Sequence, residues 1–335
     1  MVKNLATDAL RSSLNDMRQV SCKIQIGAYE FKNVAEVKIN SSYETLTDTA
    51  TITVARKLQF EGKPITGDSG IFKAGDVVNI YLGYDHKNEL IFSGYLRDIK
   101  PGAPLEFVCE NEMYQLKKGA ISKSFPERTS LKDLLAFMLP GYFIKSVDGV
   151  VGKMRLVNAT PAQVLNQLNS TYGFKAWFRN GVLYSGLAYW PELQQTPPPV
   201  FVFSGQQGNI IEHDLTYQDA ESVRLKVTAI SIGKDNQKTE VQVGDPEGEQ
   251  RTLTYYNVSK KELTEFATRD LQRFRYTGFR GSLTSFGVPV VRHGDIVELV
   301  DPVISDRNGR YIVKSVETTL GQSGYRQKIE IEAKV

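Results

Sequence analysis

Ser69 stands in Gly67-Asp68-Ser69-Gly70, a Gly-rich order that in serine proteases surrounds the nucleophile. A serine hydroxyl attacks only when a histidine takes its proton and an acid orients that histidine. In the chymotrypsin arrangement both partners precede the serine, whereas His86, His213 and His293 all follow Ser69, and Ile71 stands where a further Gly is needed. The stretch therefore reads as a polar turn. Glycan cleavage needs two carboxylates flanking one bond, one of them kept protonated by an apolar pocket. Glu110 and Glu112 alternate on one expected strand, and Asp295, Glu298, Asp301 and Asp306 fall in turn-like and surface-like positions. Asp306-Arg307-Asn308-Gly309 has an Asp-x-Asn-Gly core but lacks the spaced oxygens and distal Glu of a calcium loop. The three histidines have no ligand spacing, so no zinc site is expected. Arg269, Arg273, Arg275 and Arg280 interleave with Phe274, Tyr276 and Phe279, a mixture that can hold single-stranded nucleic acid. The end of a basic helix followed by the start of a strand accounts for it more simply. The expectation is a protein with no catalytic residues, no cofactor and no metal.

The elements that would position such residues are mostly strands. The chain has 335 residues, 41% hydrophobic and 24% charged, with 41 basic against 38 acidic side chains. That balance excludes a globally basic nucleic-acid or membrane binder, and no apolar run reaches the roughly 20 residues that span a bilayer. Cys22 and Cys109 sit in apolar runs with no near partner, for which a reducing compartment is the simplest reading and a single disulfide between them the alternative. A loose apolar stripe predicts a helix over 1–19. Period-two alternation from Cys22 onward predicts an antiparallel β-barrel over 20–120. Helix starts at Ser130 and at Thr160-Pro161-Ala162-Gln163, and an Asn180-Gly181 hairpin, predict an α+β domain over 121–195. The Pro197-Pro198-Pro199 run reads as a semi-rigid linker. Strands resume over 196–335 as a second β-barrel, with a helix over 259–274 opened by Ser259 and Glu262, and an exposed excursion over 232–256. The fold class is mainly β with an α+β insert.

GDVVNIYLGYD from Gly75 and GDIVELVD from Gly294 carry one motif twice. Each opens a strand, and each is followed by a similar strand, so that Leu96 corresponds to Val313. Gly75, Asp76, Gly294 and Asp295 are therefore expected to be the structural turns of a repeated barrel unit. Three copies of a chain with two such units would show six similar faces, and head-to-tail contacts close into rings.

FKAGDVVNIYLGYDHKNELIFSGYLRDI, PLEFVCENEMYQLKKG and the closing GVPVVRHGDIVELVDPVISDRNGRYIVKSVETTLGQSGYRQKIEIE resemble the baseplate hub proteins of contractile-tailed bacteriophages, the late control protein D family, and the hub part of type VI secretion spike proteins. The resemblance runs from about Ser21 to Val335. It implies two tail-tube-like barrels in a homotrimer that joins the hexameric tail tube protein to a trimeric spike, here on a separate chain. It also implies contacts with other baseplate proteins, DNA only as transient cargo, no membrane, and a life in the bacterial cytoplasm before the virion or tail-like particle. The rival readings are a tail-associated cell-wall hydrolase and a carbohydrate-binding adhesin using Trp177 and Trp190.

Overall fold

Successive side chains leave opposite faces of an extended chain, so alternating apolar residues dictate strands with one buried face. The computed structural model describes residues 19–54, 58–60, 63–65, 71–102, 104–205, 208–233, 237–256 and 258–335. The helix expected over 1–19 (Gln19 apart) and the stretch holding Ser69 lie outside the described residues. The first half contains β1 (Val20–Ile26), β2 (Tyr29–Phe31), β3 (Glu36–Ser42), β4 (Thr49–Val54), β5 (Val77–Tyr84), β6 (Lys87–Lys100) and β7 (Leu105–Glu110). Ile24, Val37, Ile52, Ile80 and Phe107 point into its core and are fully buried. β5 and β6 are joined by Asp85 and His86, both at positive φ (51° and 62°), so His86 serves as a turn residue.

The middle region packs helices α1 (Met113–Leu116), α2 (Leu131–Met138) and α3 (Pro161–Tyr172) with short strands. Ser130 accepts the Asp133 N–H at 3.0 Å at the start of α2. Thr160 and Gln163 bond reciprocally at the start of α3, which satisfies two N–H groups that the helix itself leaves open. Strands β8 (Lys175–Arg179) and β9 (Val182–Gly186) turn through Asn180 and Gly181 at φ 52° and 77°. Strand alternation puts Ala176 and Phe178 in the region's own core and Trp177 and Arg179 on the opposite face, toward the second half.

The second half contains β10 (Val200–Val202), β11 (Ile210–His213), β12 (Thr216–Gln218), an insert, then β16 (Gly278–Phe286), β17 (Ile296–Val300), β18 (Gly309–Gly321) and β19 (Gly324–Lys334). The insert is β13 (Leu225–Ile232), β14 (Lys238–Gly244), β15 (Glu249–Tyr256) and helix α4 (Lys260–Phe274). Residues 232–256 thus do not form a bare excursion. β14 and β15 flank β13, antiparallel and parallel respectively, and Leu263, Ala267 and Leu271 of α4 cover Leu225, Val227 and Ala229. The chain passes from β14 to β15 close around Leu225, where a Cβ on Gly244 would lie 2.2 Å from a backbone oxygen and one on Gly248 2.6 Å from a backbone nitrogen. The alternating Val241, Val243, Leu253 and Tyr255 that build this small core are diluted by charged neighbours in the sequence.

The two halves share one fourteen-stranded sheet in the order β11-β16-β19-β18-β3-β4-β7-β6-β5-β1-β2, with β10, β12 and β17 joined at its sides. The seam runs from Ser315 opposite Ser42 to Leu320 opposite Val37. Beyond it, the β18–β19 hairpin places Leu320 and Tyr325 in the core of the first half. The sequence alone reads as two separate sheets. The seam escapes that reading because backbone pairing leaves no residue-type signature. Among the described residues no helix is long and apolar enough to cross a membrane.

Candidate functional site

The two Gly-Asp turns are built alike, bond for bond. Gly75 sits at φ 98° and Gly294 at φ 79°, a region that favours glycine. Gly75 N–H donates to Leu96 O at 2.7 Å, and Gly294 N–H to Val313 O at 2.7 Å. Leu96 N–H returns a bond to Asp76 O at 2.8 Å, and Val313 N–H to Asp295 O at 2.9 Å. The Asp76 carboxylate accepts the Lys73 N–H at 2.8 Å, as Asp295 accepts the Arg292 N–H at 2.9 Å. An Asp at this place closes the turn by capturing the N–H three residues back.

The likeness extends outward from the turns. β3-β4-β7-β6-β5-β1 in the first half matches β11/β12-β16-β19-β18-β17-β10 in the second. Both long strands carry a bulge one residue past the shared contact, at Arg97 and at Lys314. Buried pairs follow the same correspondence: Val78 with Val297, Ile80 with Leu299, and Phe107 with Ile329, all 0% exposed. One difference stands out, since β1 runs antiparallel to β5 while β10 runs parallel to β17.

The surroundings of the two turns differ sharply. Val77, beside the first turn, is 50% exposed. The second turn is enclosed by the middle region: Arg179 donates to Asp295 Oδ1 at 2.7 Å and to His293 O at 2.5 Å. Their side chains are only 9% and 2% exposed. Gln194 bonds Gly294 O and accepts the Ile296 N–H, and Gln195 reaches Asp295 Oδ2. The stretch leading to Pro197-Pro198-Pro199 is thus pinned to the second half rather than acting as a spacer. Trp177 stacks on Tyr184 with centroids 4.9 Å apart and meets His293 edge-on at 5.0 Å. A cavity of about 300 Å³ lies where both halves and the middle region meet, lined by Asp48, Asn111, Arg179, Arg292 and His293 among others.

Asp48 and His293 approach to 3.9 Å there. Burial pushes the Asp48 carboxyl up to about 6, against hydrogen bonds from Ser42, Ser41 and Asn111 and the charge of Arg179. Burial, then the charges of Arg179 and Arg292, push the His293 imidazole down to about 3. As pH falls through 6, the folded chain takes up a proton on Asp48 before the unfolded chain does, so Asp48 adds stability. His293 has the opposite sign, because the unfolded histidine charges below 6.5 while the folded one stays neutral down to about 3. Asp48→Asn removes the gain and leaves the histidine loss unopposed. Urea unfolding should then show a drop in stability between about pH 7 and about pH 4 that exceeds the wild-type drop by about 2 kcal/mol. His293→Gln should shrink the wild-type drop.

The carboxylates that could do chemistry have other work. Burial would raise Glu110, but hydrogen bonds from Lys117 and Arg97 outweigh it and hold the carboxylate below its usual range. Glu112 accepts the Tyr142 hydroxyl at 2.9 Å, Glu298 pairs with Arg310 at 3.2 Å, and Asp301 accepts the N–H groups of Val303 and Ile304. Asp306 lies in a one-turn helix over Ser305–Arg307. His213 is on exposed β11, far in sequence from His86 and from buried His293, and no cluster of three or more His, Cys, Asp or Glu occurs among the described residues. Arg280 lies over Tyr276 and Arg269 over Phe266, which ties this basic-aromatic stretch to its own helix and strand. Trp177 is 2% exposed and has no face open to a sugar. Arg179, Asp48 and Gln194 were not legible as site residues; the Asn180-Gly181 turn beside Arg179 was the only signal.

The sequence matches no protein-family model and no curated protein. Its fold does match solved structures. A tail protein from Neisseria meningitidis aligns with a TM-score of 0.66 at 16% identity, over 95% of this chain and 97% of that one. A 43 kDa tail protein of prophage MuSo2 from Shewanella oneidensis aligns at 0.61 and 15% identity, over 93% and 97%. An E. coli component of the type VI secretion system, itself structurally similar to T4 bacteriophage tail proteins, aligns at 0.54 and 9% identity, over 93% and 76%. The chain has the mainly β fold of these tail proteins along nearly its whole length.

Proposed function

We propose that this protein is a structural baseplate hub of a contractile phage tail or tail-like injection particle. In this reading it is a homotrimer that joins a hexameric tail tube to a trimeric spike, within the late control protein D family. The observation that carries the reading is the internal likeness of the halves in strand order, bulge and turn. Gly75, Asp76, Gly294 and Asp295 are then strand-entry turns of a duplicated unit, and three chains present six similar units to a sixfold tube. The halves correspond to 20–120 and 196–335, with 121–195 between them. That middle region and the 225–274 insert are the surfaces offered to other baseplate proteins.

The sheet face opposite the cores supports a bore. It carries Thr49, Thr51, Ser315 and Thr319 beside a charge pair, Lys38 with Glu317 at 2.9 Å. Short hydroxyl side chains and neutralised charges leave little to hold a phosphate backbone, which suits DNA as passing cargo. Native mass spectrometry of the full chain, alone and with its spike, should give the mass of three chains in at least one of the two samples. Monomer in both would overturn the reading.

A further inference from the structure

Resting on the trimeric reading, we infer that neighbouring copies join by pairing β6 of one chain with β12 of the next, in a register set by the seam already present inside each chain and selected by an inverted set of charges. The correspondence of the halves fixes this. The turns equate Leu96 with Val313, the bulges equate Asp98 with Ser315, and the ladders then equate Ile99 and Lys100 with Val316 and Glu317. On the partner side, pairing through β4 and β16 equates Ser42, Ser41 and Asn40 with Gln218, Tyr217 and Thr216.

Within one chain, Ser315, Val316 and Glu317 pair with Ser42, Ser41 and Asn40. Transposed, Asp98, Ile99 and Lys100 pair with Gln218, Tyr217 and Thr216 of the neighbouring copy. Both edges are open. Past Tyr95, β6 has β7 on one side and no described strand on the other. The Ile99 N–H is occupied by the adjacent Asp98 carboxylate at 2.9 Å, a charged guard of the kind that keeps an edge from pairing indiscriminately. β12 likewise pairs only with β16 among the described strands.

Charge supplies the selection. At the internal seam Glu317 pairs with Lys38 at 2.9 Å and lies opposite Lys328. The corresponding residues are Lys100, Asp214 and Glu106: every sign is reversed. Lys100 already pairs with Glu106 at 3.4 Å, and Asp214, whose carboxylate accepts the Ser282 N–H and hydroxyl, is the charge it meets across the joint. A Glu317 edge therefore fits the Lys38 edge and is repelled by the Asp214 edge, while a Lys100 edge does the reverse. This forces the two halves to alternate around a ring. Pro101 has no N–H to extend the ladder, so the joint between copies has three pairs where the internal seam has six.

The test uses the full chain. Cysteines introduced together as Asp98→Cys and Gln218→Cys, at exposed positions facing each other in this register, should give covalent dimers and trimers on mild oxidation, and neither alone should. The native Cys22 and Cys109 are buried. Lys100→Glu and Asp214→Lys should each weaken association about tenfold per joint, and the two together should restore it. A wild-type trimer with no cross-linked ladder, or a double reversal no better than the singles, would overturn the register while leaving the trimer standing. A wild-type chain that forms no trimer, with or without its spike, would overturn both.

Discussion

Replacing Arg179 with alanine should lower the free energy of unfolding by about 3–5 kcal/mol. Arg179 is the only described cation in contact with the buried Asp295 carboxylate, and its second nitrogen satisfies the His293 carbonyl. Removing it leaves the buried Asp295 charge with only the neutral donors Arg292 N–H and Gln195 and takes a charged donor from the His293 carbonyl, which costs far more than the pair itself contributes. The loss should be structural as well as energetic, because Arg179 is the point where the middle region grips the second half. Limited proteolysis near 187–199 should accelerate in parallel with the fall in the urea midpoint. Arg179→Lys should recover only part of the loss, since an ammonium group cannot reproduce the fork that reaches both acceptors. An unchanged midpoint in Arg179→Ala would mean that the ion pair does not hold the regions together.

Tyr325→Ala should cost a similar amount, about 3–5 kcal/mol. Tyr325 belongs by sequence to the second half, yet its side chain is 1% exposed in the core of the first, 5.6 Å from Tyr84 between ring centroids. Truncation opens a large cavity that the surrounding strands cannot fill without moving the seam. The same side chain explains why position 287 is glycine, as a Cβ there would lie 2.2 Å from the Tyr325 ring. Hydrogen exchange should distinguish this from an ordinary core defect: amides of β3 and β18 at the seam should lose protection together, while those of α3 should not. Loss confined to β19 would show that the hairpin tip is not what ties the halves.

What the sequence disclosed follows from locality. The Gly-Asp pairs were visible because each turn makes two local demands, a positive φ and a carboxylate that captures an N–H three residues back, and both demands select residue types. The capping residues Ser130, Thr160 and Ser259 and the Asn180-Gly181 turn were visible for the same reason. The seam between β3 and β18 was not, because its contacts are backbone to backbone across some 270 positions and any residue can make them. Arg179 and Asp295 are 116 positions apart, and nothing near either marks the other as its partner. Residues 232–256 misled because their polarity outweighed a sparse alternation that only helix α4 makes meaningful. The inverted charges at Lys100, Glu106 and Asp214 stand openly in the sequence, but they acquire meaning only when the ladders fix which residues correspond.

Electron-microscopic class averages of the assembled particle, viewed down its axis, test the central claim most directly. Six similar lobes around an open bore, built from three chains, are the predicted result. A ring with three unlike lobes, or an assembly with no opening at its centre, would contradict it.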